Sequence, residues 1–247
     1  MAGTGLTRMI GRFLEISVCT PNIQESLEFY QSLGFAQAET GDVWSHRYVA
    51  ITDGRLFLGL HEYEFASPSL TYVRPDLAAH LEALLAHGVR FEFEKTGDEQ
   101  FNEVGFLDPD GQMVTLLEAR TFSPLPVTAA EESRCGHFSE YAVPSRNIET
   151  AIVFWEPLGF VTTSREDKPF PSATLTSDLI NLGFYQLPEL RAPALSFVEP
   201  DMAERIANLE SDGLEVNRDL PGREAADENA VLRSPEGLVL QLLTGDH

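Results

Sequence analysis

One long segment occurs twice in this chain. Residues 13–35 read FLEISVCTPNIQESLEFYQSLGF and residues 138–160 read FSEYAVPSRNIETAIVFWEPLGF, with nine of the 23 positions identical without a gap. A period this long indicates a duplicated domain rather than a solenoid of short repeats. Both copies keep a glutamate, Glu15 and Glu140, inside an otherwise apolar strand pattern.

The duplication extends over most of the chain. Residues 69–89 recur as residues 194–214, and residues 108–118 recur as residues 234–244. Between the two copies lies a stretch rich in Pro, Ala, Ser and Glu, a composition typical of linkers. We therefore predict a first domain, a linker and a second domain over residues 12–119, 120–136 and 137–244.

Each domain is predicted to contain two smaller units of the order βαβββ. The stretch LEISV alternates like a strand. The next stretch, PNIQESLEFYQSLGF, places Ile23, Leu27 and Tyr30 on one helical face. Two short strands then flank a turn at Asp53–Gly54, and the rest of the domain repeats this order.

A single βαβββ unit leaves one sheet face bare, so the units must pair. The predicted fold class is α+β, with four βαβββ units paired into two cup-shaped half-open barrels. We expect each cup to combine two units of the same domain, with pairing swapped between subunits as the alternative. Alternation along the first strand places Phe13, Glu15 and Ser17 on the cup face.

The βαβββ order, the F(Y/W)…LGF pattern after the first helix and DPDG before the last strand resemble the vicinal oxygen chelate superfamily. That family includes glyoxalase I, extradiol dioxygenases and bleomycin resistance proteins. The resemblance covers the chain apart from the N-terminal tail and the linker. It implies metal ligands on the first and last strand of each unit, on the concave face. It does not define a reaction, because this fold hosts many chemistries.

The positions that correspond to those family ligands are poor in strong donors. They are Glu15, Gly59, Ser69 and Thr115 in the first domain, and Glu140, Gly183, Ala194 and Gln241 in the second. Catalytic divalent sites generally use about three imidazole or carboxylate donors. We therefore predict no metal and no other cofactor. The alternative is a divalent metal bound by Glu15 and His61 in a shifted register, as in a metal-dependent lyase, isomerase or extradiol-type dioxygenase.

The predicted catalytic residues are Glu15 and His61, the acid–base pair expected in the first cup. Burial in an apolar cup raises the pKa of a carboxyl group that has no partner, which suits proton transfer near neutral pH. The predicted ligand-binding residues mix aromatic walls with polar groups, as small-molecule pockets do. They are Phe13, Ser17, Phe57, Ser69, Thr71, Met113 and Thr115, together with Phe138, Glu140, Asn181, Tyr185, Ser196 and Gln241. His46, which precedes a strand, is expected to face solvent.

These residues predict a protein that binds a small, partly aromatic molecule without a metal. Any turnover is expected in the first domain, while the second domain binds or braces. Two alternatives stay open. The glutamates could be satisfied structural groups bonded to Thr115 and Gln241, or the cups could be filled by side chains in an interaction protein.

Charge and composition limit the partners. The net charge of −22 disfavours nucleic acid, because an acidic surface repels phosphates. No apolar run is long enough for a membrane span and no signal peptide is visible, so we expect a cytoplasmic protein, monomer or homodimer. Cys19 and Cys135 match no metal or redox spacing and are expected to be reduced thiols.

Overall fold

The structure is a computed structural model that describes residues 9–41, 44–119, 133–177, 179–220 and 228–246. Its first sheet has eight strands in the spatial order β2-β3-β4-β1-β5-β8-β7-β6. In chain order they are β1 Arg12–Cys19, β2 Ala36–Gln37, β3 Tyr48–Thr52, β4 Phe57–His61, β5 Ser69–Arg74, β6 Phe91–Lys95, β7 Glu103–Leu107 and β8 Met113–Glu118.

The second sheet has seven strands in the order β10-β11-β12-β9-β13-β15-β14. They are β9 His137–Pro144, β10 Val161–Glu166, β11 Ser172–Thr176, β12 Asn181–Tyr185, β13 Ala194–Glu199, β14 Ala230–Arg233 and β15 Val239–Thr244. Where the last unit should have a further strand, the described residues form only an isolated bridge between Asn217 and Val231.

Four α-helices accompany the sheets in the described part of the chain. They are α1 Ile23–Ser32, α2 Leu81–Ala86, α3 Ile148–Trp155 and α4 Met202–Ser211. Asn22 and Asn147 cap α1 and α3 by accepting a backbone N–H, which explains why both repeats keep an asparagine there. The predicted second helix is shorter than expected, because Leu77–His80 forms a 3₁₀ turn before α2 begins. None of these helices has the length and apolar character that crossing a membrane requires.

The two units of each half pair through their first strands. β1 runs antiparallel to β5 in the first sheet, and β9 runs antiparallel to β13 in the second. Each sheet therefore joins two successive units and stays open at both edges. This confirms the predicted α+β class and the pairing of four units into two cups within one chain.

The two sheets share one hydrophobic core. A continuous cluster of buried side chains includes residues of both halves. Phe35 lies 6.3 Å from Phe197, and Phe106 lies 6.2 Å from Phe154, measured between ring centroids. The halves of the molecule are thus packed on each other as well as on their own helices.

Polar contacts also join the halves, among them the buried hydrogen bond that Tyr141 donates to Gln112 at 2.9 Å. Ser26 and Tyr30 of α1 donate to the Glu236 carboxylate at 2.7 and 2.6 Å. Trp155 occupies the position equivalent to Tyr30, and its indole N–H donates to Asp108 at 3.1 Å. Burial raises the pKa of Asp108 to about 6.

The predicted linker falls mostly outside the described residues, namely residues 120–132. Its described end is packed rather than extended. The Arg134 backbone N–H donates to the carbonyl of Leu33 at 2.8 Å, and its guanidinium pairs with Asp212 at 2.5 Å. This end of the linker therefore contacts both halves.

Candidate functional site

A β-bulge in β1 removes one predicted residue from the first cup. The register against β5 shifts between Phe13 and Glu15. Phe13 therefore turns to the core side, where its ring packs edge-on against Tyr72 with centroids 5.4 Å apart. Simple alternation takes no account of the extra residue of a bulge. The prediction that Phe13 lines the cup is wrong for this reason.

The second half repeats this feature. The register between β9 and β13 shifts so that Phe138 lies opposite Phe197 while Glu140 lies opposite Ser196. Phe138 packs edge-on against Phe197 with centroids 5.7 Å apart, inside the shared core. Its predicted place in the second cup is therefore also wrong, and the bulge is part of the duplicated unit.

Glu15 lies fully buried at the floor of the first cup and accepts three side-chain hydrogen bonds. Ser17 donates to Oε1 at 2.8 Å and Tyr48 donates to Oε2 at 2.6 Å. His61 Nε2 lies 3.2 Å from Oε1. The carboxylate rests over Gly59 of β4, where an added Cβ would overlap it. The glycine is needed for this close approach.

The strand register explains why these groups meet. β1 and β4 are parallel neighbours, and β3 runs antiparallel to β4 with Tyr48 directly opposite His61. His61 and Gly59 are two residues apart and so share the cup face. The structure thus brings the predicted pair Glu15 and His61 into hydrogen-bond distance. Tyr48 was not predicted, although the hairpin register could have indicated it.

His46 does not simply face solvent as predicted. Its Nε2 lies 2.9 Å from Nδ1 of His61, and its ring stacks on Tyr63 with centroids 4.9 Å apart. Continuing the β3–β4 register beyond Tyr48 and His61 places His46 opposite Tyr63. The ring is partly exposed. The prediction was wrong because it treated the residues before the strand as a free loop.

Further aromatic rings close the cup around His61. The ring of Trp44 lies 4.9 Å from that of His61, and Phe65 lies 5.5 Å from it on an edge-on approach. Phe101 contacts Trp44 at 6.4 Å and is 55% exposed. These residues lie outside the strands, so no periodicity in the sequence marked them.

The other predicted residues of the first cup bond among themselves. Ser17 and Thr71 hydroxyl oxygens are 2.7 Å apart. Those of Ser69 and Thr115 are 2.8 Å apart. Thr115 is thus paired with Ser69 and does not bond to Glu15. Met113 is buried and Phe57 is partly buried.

The second cup surrounds Glu140 with fewer donors. Tyr185 donates to Oε1, and Thr174 donates to Oε2 at 3.3 Å. Burial raises the pKa of Glu140, and these two hydrogen bonds offset the rise only in part. The carboxylate rests over Gly183 as Glu15 rests over Gly59.

Three further predicted residues of this cup bond elsewhere. Asn181 donates to the carbonyl of Ser139 at 2.9 Å. Ser196 donates to Gln241 at 3.3 Å, so Gln241 is paired there and does not bond to Glu140.

Apolar side chains cluster on the cup face of the second sheet. Leu190 and Leu220, from the loops after β12 and before β14, are buried against the cup face of the sheet. The cluster consists of Ala142, Leu190, Ala194, Leu220, Val231 and Val239, with Tyr185, Leu187 and Leu243 packed against it. The two cups therefore differ in content although they share an origin.

The residues present do not fit the metal that the family resemblance implies. Of the four corresponding positions in the first cup, only Glu15 is a strong donor, and three side-chain donors engage its carboxylate. Ser69 and Thr115 bond to each other, and Gly59 has no side chain. Across the described ranges no group of three or more His, Cys, Asp or Glu side chains could hold a metal ion.

Comparisons with known proteins agree with this fold. Residues 12–116 match the family model described as the Glyoxalase/Bleomycin resistance protein/Dioxygenase superfamily. No curated protein sequence matches the chain.

Solved structures of similar fold are dioxygenases of low sequence identity. The E323L mutant of homoprotocatechuate 2,3-dioxygenase from Brevibacterium fuscum aligns with a TM-score of 0.61 at 16% identity, covering 96% of this chain and 72% of that one. The 2,3-dioxygenase LapB from Pseudomonas sp. KL28 aligns with a TM-score of 0.62 at 17% identity, covering 97% and 94%. At such identities the likeness concerns the fold alone.

Proposed function

We propose that the first cup, which lies within the residues 12–116 that match the Glyoxalase/Bleomycin resistance protein/Dioxygenase superfamily model, binds a small, partly aromatic molecule without a metal. The observation that carries this proposal is the buried Glu15 carboxylate, bonded to Tyr48 and His61 beneath a wall of aromatic rings. Apolar walls with a few placed polar groups are characteristic of small-molecule sites.

The aromatic wall gives the proposed site its preference for rings. Trp44 and Phe65 flank His61, and Tyr63 and Phe101 are each more than half exposed at the mouth. Exposed aromatic side chains at a cup mouth supply stacking surfaces for a flat ligand. Because Tyr63 and Phe101 are only partly packed, their displacement by a ligand costs little buried area.

Glu15 and His61 supply the polar end of the proposed site. A carboxylate beside an imidazole can recognise a hydroxyl or amine of the ligand and can take or give a proton. We therefore assign any proton transfer on the bound molecule to the first cup.

A dioxygenase reaction like that of the structural neighbours is the less favoured function. Glu15, His61 and His46 bond to one another in a row, and among the described residues no group of three or more His, Cys, Asp or Glu side chains could hold the metal that such a reaction generally uses. No step of the proposed function is routed through a metal.

The second cup is proposed to brace the fold rather than to bind. Leu190 and Leu220 pack against apolar residues on its cup face, where they reduce the space for a ligand. In this view Glu140 is kept from the duplication, and its buried carboxyl group accepts hydrogen bonds from Tyr185 and Thr174.

Fluorescence of Trp44 tests the proposal. The chain has two tryptophans, Trp44 at the first cup and Trp155 buried in the shared core. In a Trp155→Phe variant, titration with phenol, catechol or 4-hydroxybenzoate should change the Trp44 emission saturably. The change should persist after dialysis against EDTA.

Matched glutamate variants complete this test. Glu15→Gln should weaken binding at least tenfold, whereas Glu140→Gln should leave the affinity within twofold. A signal that needs added Fe²⁺ or Mn²⁺ would favour the dioxygenase alternative. A site in the first cup is contradicted if none of the compounds changes Trp44 emission, or if Glu140→Gln weakens binding more than Glu15→Gln does.

A further inference from the structure

Glu15, His61 and His46 form a continuous chain of hydrogen bonds from the floor of the cup towards its mouth. Glu15 Oε1 lies 3.2 Å from His61 Nε2, and His61 Nδ1 lies 2.9 Å from His46 Nε2. Exposure increases along the chain, because Glu15 is fully buried, His61 is 4% exposed and His46 is partly exposed. Glu15 itself has no contact with solvent.

The positions of the protons follow from these distances. When Glu15 is a carboxylate, it can only accept, so His61 must donate from Nε2. A neutral His61 then accepts at Nδ1, and His46 must donate from Nε2. Nδ1 of His46 is left as an acceptor, with no hydrogen-bond partner among the residues described.

Adding one proton to this row of three residues exchanges donor and acceptor in each of its hydrogen bonds. A proton taken from solvent at His46 Nδ1 lets the Nε2 proton of His46 pass to His61 Nδ1. The Nε2 proton of His61 then passes to Glu15 Oε1. Both rings end neutral with the proton on Nδ1, and Glu15 is a carboxylic acid that donates to His61 Nε2. One proton enters, one acid forms, and no charge remains on either ring.

We propose that His46 is the point at which the buried Glu15 exchanges its proton with solvent, by way of His61. This inference rests on the proposed function, since it supplies the proton path for the acid–base group of that site. It assigns to His46 the role of a relay residue that does not touch the bound molecule. The two rings together shuttle the proton while Glu15 stays out of contact with water.

The surroundings favour neutral rings over a trapped imidazolium. Burial and the nearby His61 lower the pKa of His46. The other ionisable groups close to these rings are Tyr48, which donates to Glu15, Tyr63, which stacks on His46, and Cys19, which is paired with His61 in the β1–β4 register. Two ion pairs lie near these groups, the first of them on the helix side of the hairpin, where Glu62 also accepts from the Ile23 backbone N–H. They are Arg47–Glu62, with 2.9 Å between N and O, and Lys95–Glu103, with 2.5 Å.

The experiment is a pH series of long-range ¹H–¹⁵N spectra on the full chain, which identify the protonated nitrogen of each ring. We expect His61 to carry its proton on Nε2 at pH 8 and on Nδ1 at low pH. His46 should gain its Nδ1 proton over the same pH range. Glu15→Gln should abolish the switch at His61, because the amide cannot take the proton. The matched Glu140→Gln variant should keep the switch.

A second variant isolates the role of His46. His46→Phe retains a ring to stack on Tyr63 but has no nitrogen, so the switch at His61 should be lost while the fold is kept. The proposal is overturned if His46 becomes doubly protonated while His61 keeps its proton on Nε2. It is also overturned if His61 still switches in folded His46→Phe. These spectra need no ligand, so they can fail while binding in the first cup is confirmed, and the reverse.

Discussion

Glu15 and Glu140 occupy equivalent positions of a duplicated strand, yet their surroundings have diverged. Glu15 accepts from a serine, a tyrosine and a histidine, and two of these groups belong to a longer network through Thr71 and His46. Glu140 accepts from Tyr185 and Thr174, and burial raises its pKa. Glu15 therefore has more hydrogen-bond donors around it than Glu140 has.

Replacing each glutamate by glutamine should lower the free energy of unfolding by different amounts in the two cups. At pH 7, Glu15→Gln should lower the free energy of unfolding by about 1–3 kcal/mol, because the amide cannot accept all three hydrogen bonds. Glu140→Gln should cost less than about 1 kcal/mol, since the neutral amide avoids burying a charge there. Urea denaturation of both variants gives the comparison. An equal or larger loss in Glu140→Gln would contradict the account.

At this scale the sequence predicted the centre of the site but not its rim. The duplicated glutamates and the spacing of Gly59 and His61 were sufficient to predict the Glu15–His61 contact. His46 and Trp44 could not be predicted, because residues before a strand carry no periodicity. Their positions depend on how the hairpin continues beyond its last paired residues.

At the scale of the strand, each glutamate depends on a glycine in the neighbouring strand. A Cβ on Gly59 would overlap the Glu15 carboxylate, and a Cβ on Gly183 would overlap that of Glu140. Glycine usually weakens a strand by about 0.5–1 kcal/mol relative to alanine. Here the close approach of the carboxylate requires it.

Gly59→Ala should therefore destabilise the protein instead of stabilising it. We expect a loss of about 1–3 kcal/mol, since the carboxylate must leave Ser17, Tyr48 and His61 to make room. In a Glu15→Ala background the space is free, so the same substitution should cost at least about 1 kcal/mol less. Denaturant unfolding of the four proteins measures this coupling.

Gly41→Ala is the control for that cycle. A Cβ at Gly41 meets no atom within 4 Å, so the change should be within about 0.5 kcal/mol. Additive effects of Gly59→Ala and Glu15→Ala would show that the glycine is not there for the carboxylate.

The sequence predicted the elements better than their irregularities. Strand alternation and helical periodicity were sufficient for β1, α1 and their repeats. The bulges at Phe13 and Phe138 could not be predicted from the apolar pattern, because the extra residue of a bulge does not change that pattern. It does move the phenylalanine side chain from the cup face to the core face. The shortened α2 depends on tertiary packing that local propensity does not contain.

At the scale of the whole molecule, the two sheets are joined by one core and by several polar contacts. Trp155 of the second half donates to Asp108 of the first, and the Asp108 carboxylate also accepts the backbone N–H groups of Asp110 and Gln112. The sequence predicted two cups but not this interface. A repeat pattern describes each unit, whereas the interface depends on residues that differ between repeats, such as Tyr30 and Trp155.

Asp108 should make this interface sensitive to pH. Its pKa is raised from 3.8 to about 6, mainly by burial. Between these values the folded protein binds more protons than the unfolded chain, so stability is lost as pH rises from about 4 to about 6. Each tenfold change in proton affinity corresponds to about 1.4 kcal/mol, which gives a loss on the order of 2–3 kcal/mol.

Asp108→Asn removes this titration and isolates its contribution. The fixed cost of placing an amide beside Trp155 is the same at every pH, and Glu140 titrates in both proteins. The stability of wild type relative to Asp108→Asn should therefore fall between pH 4 and pH 7 by the amount given above. Asp201→Asn is the control that should show no such fall, because the hydrogen bond to Arg205 lowers the pKa of Asp201 and its titration lies below this range. If the difference in the free energy of unfolding between wild type and Asp108→Asn stays constant across this range, the interface does not raise the pKa of Asp108, and the prediction is wrong.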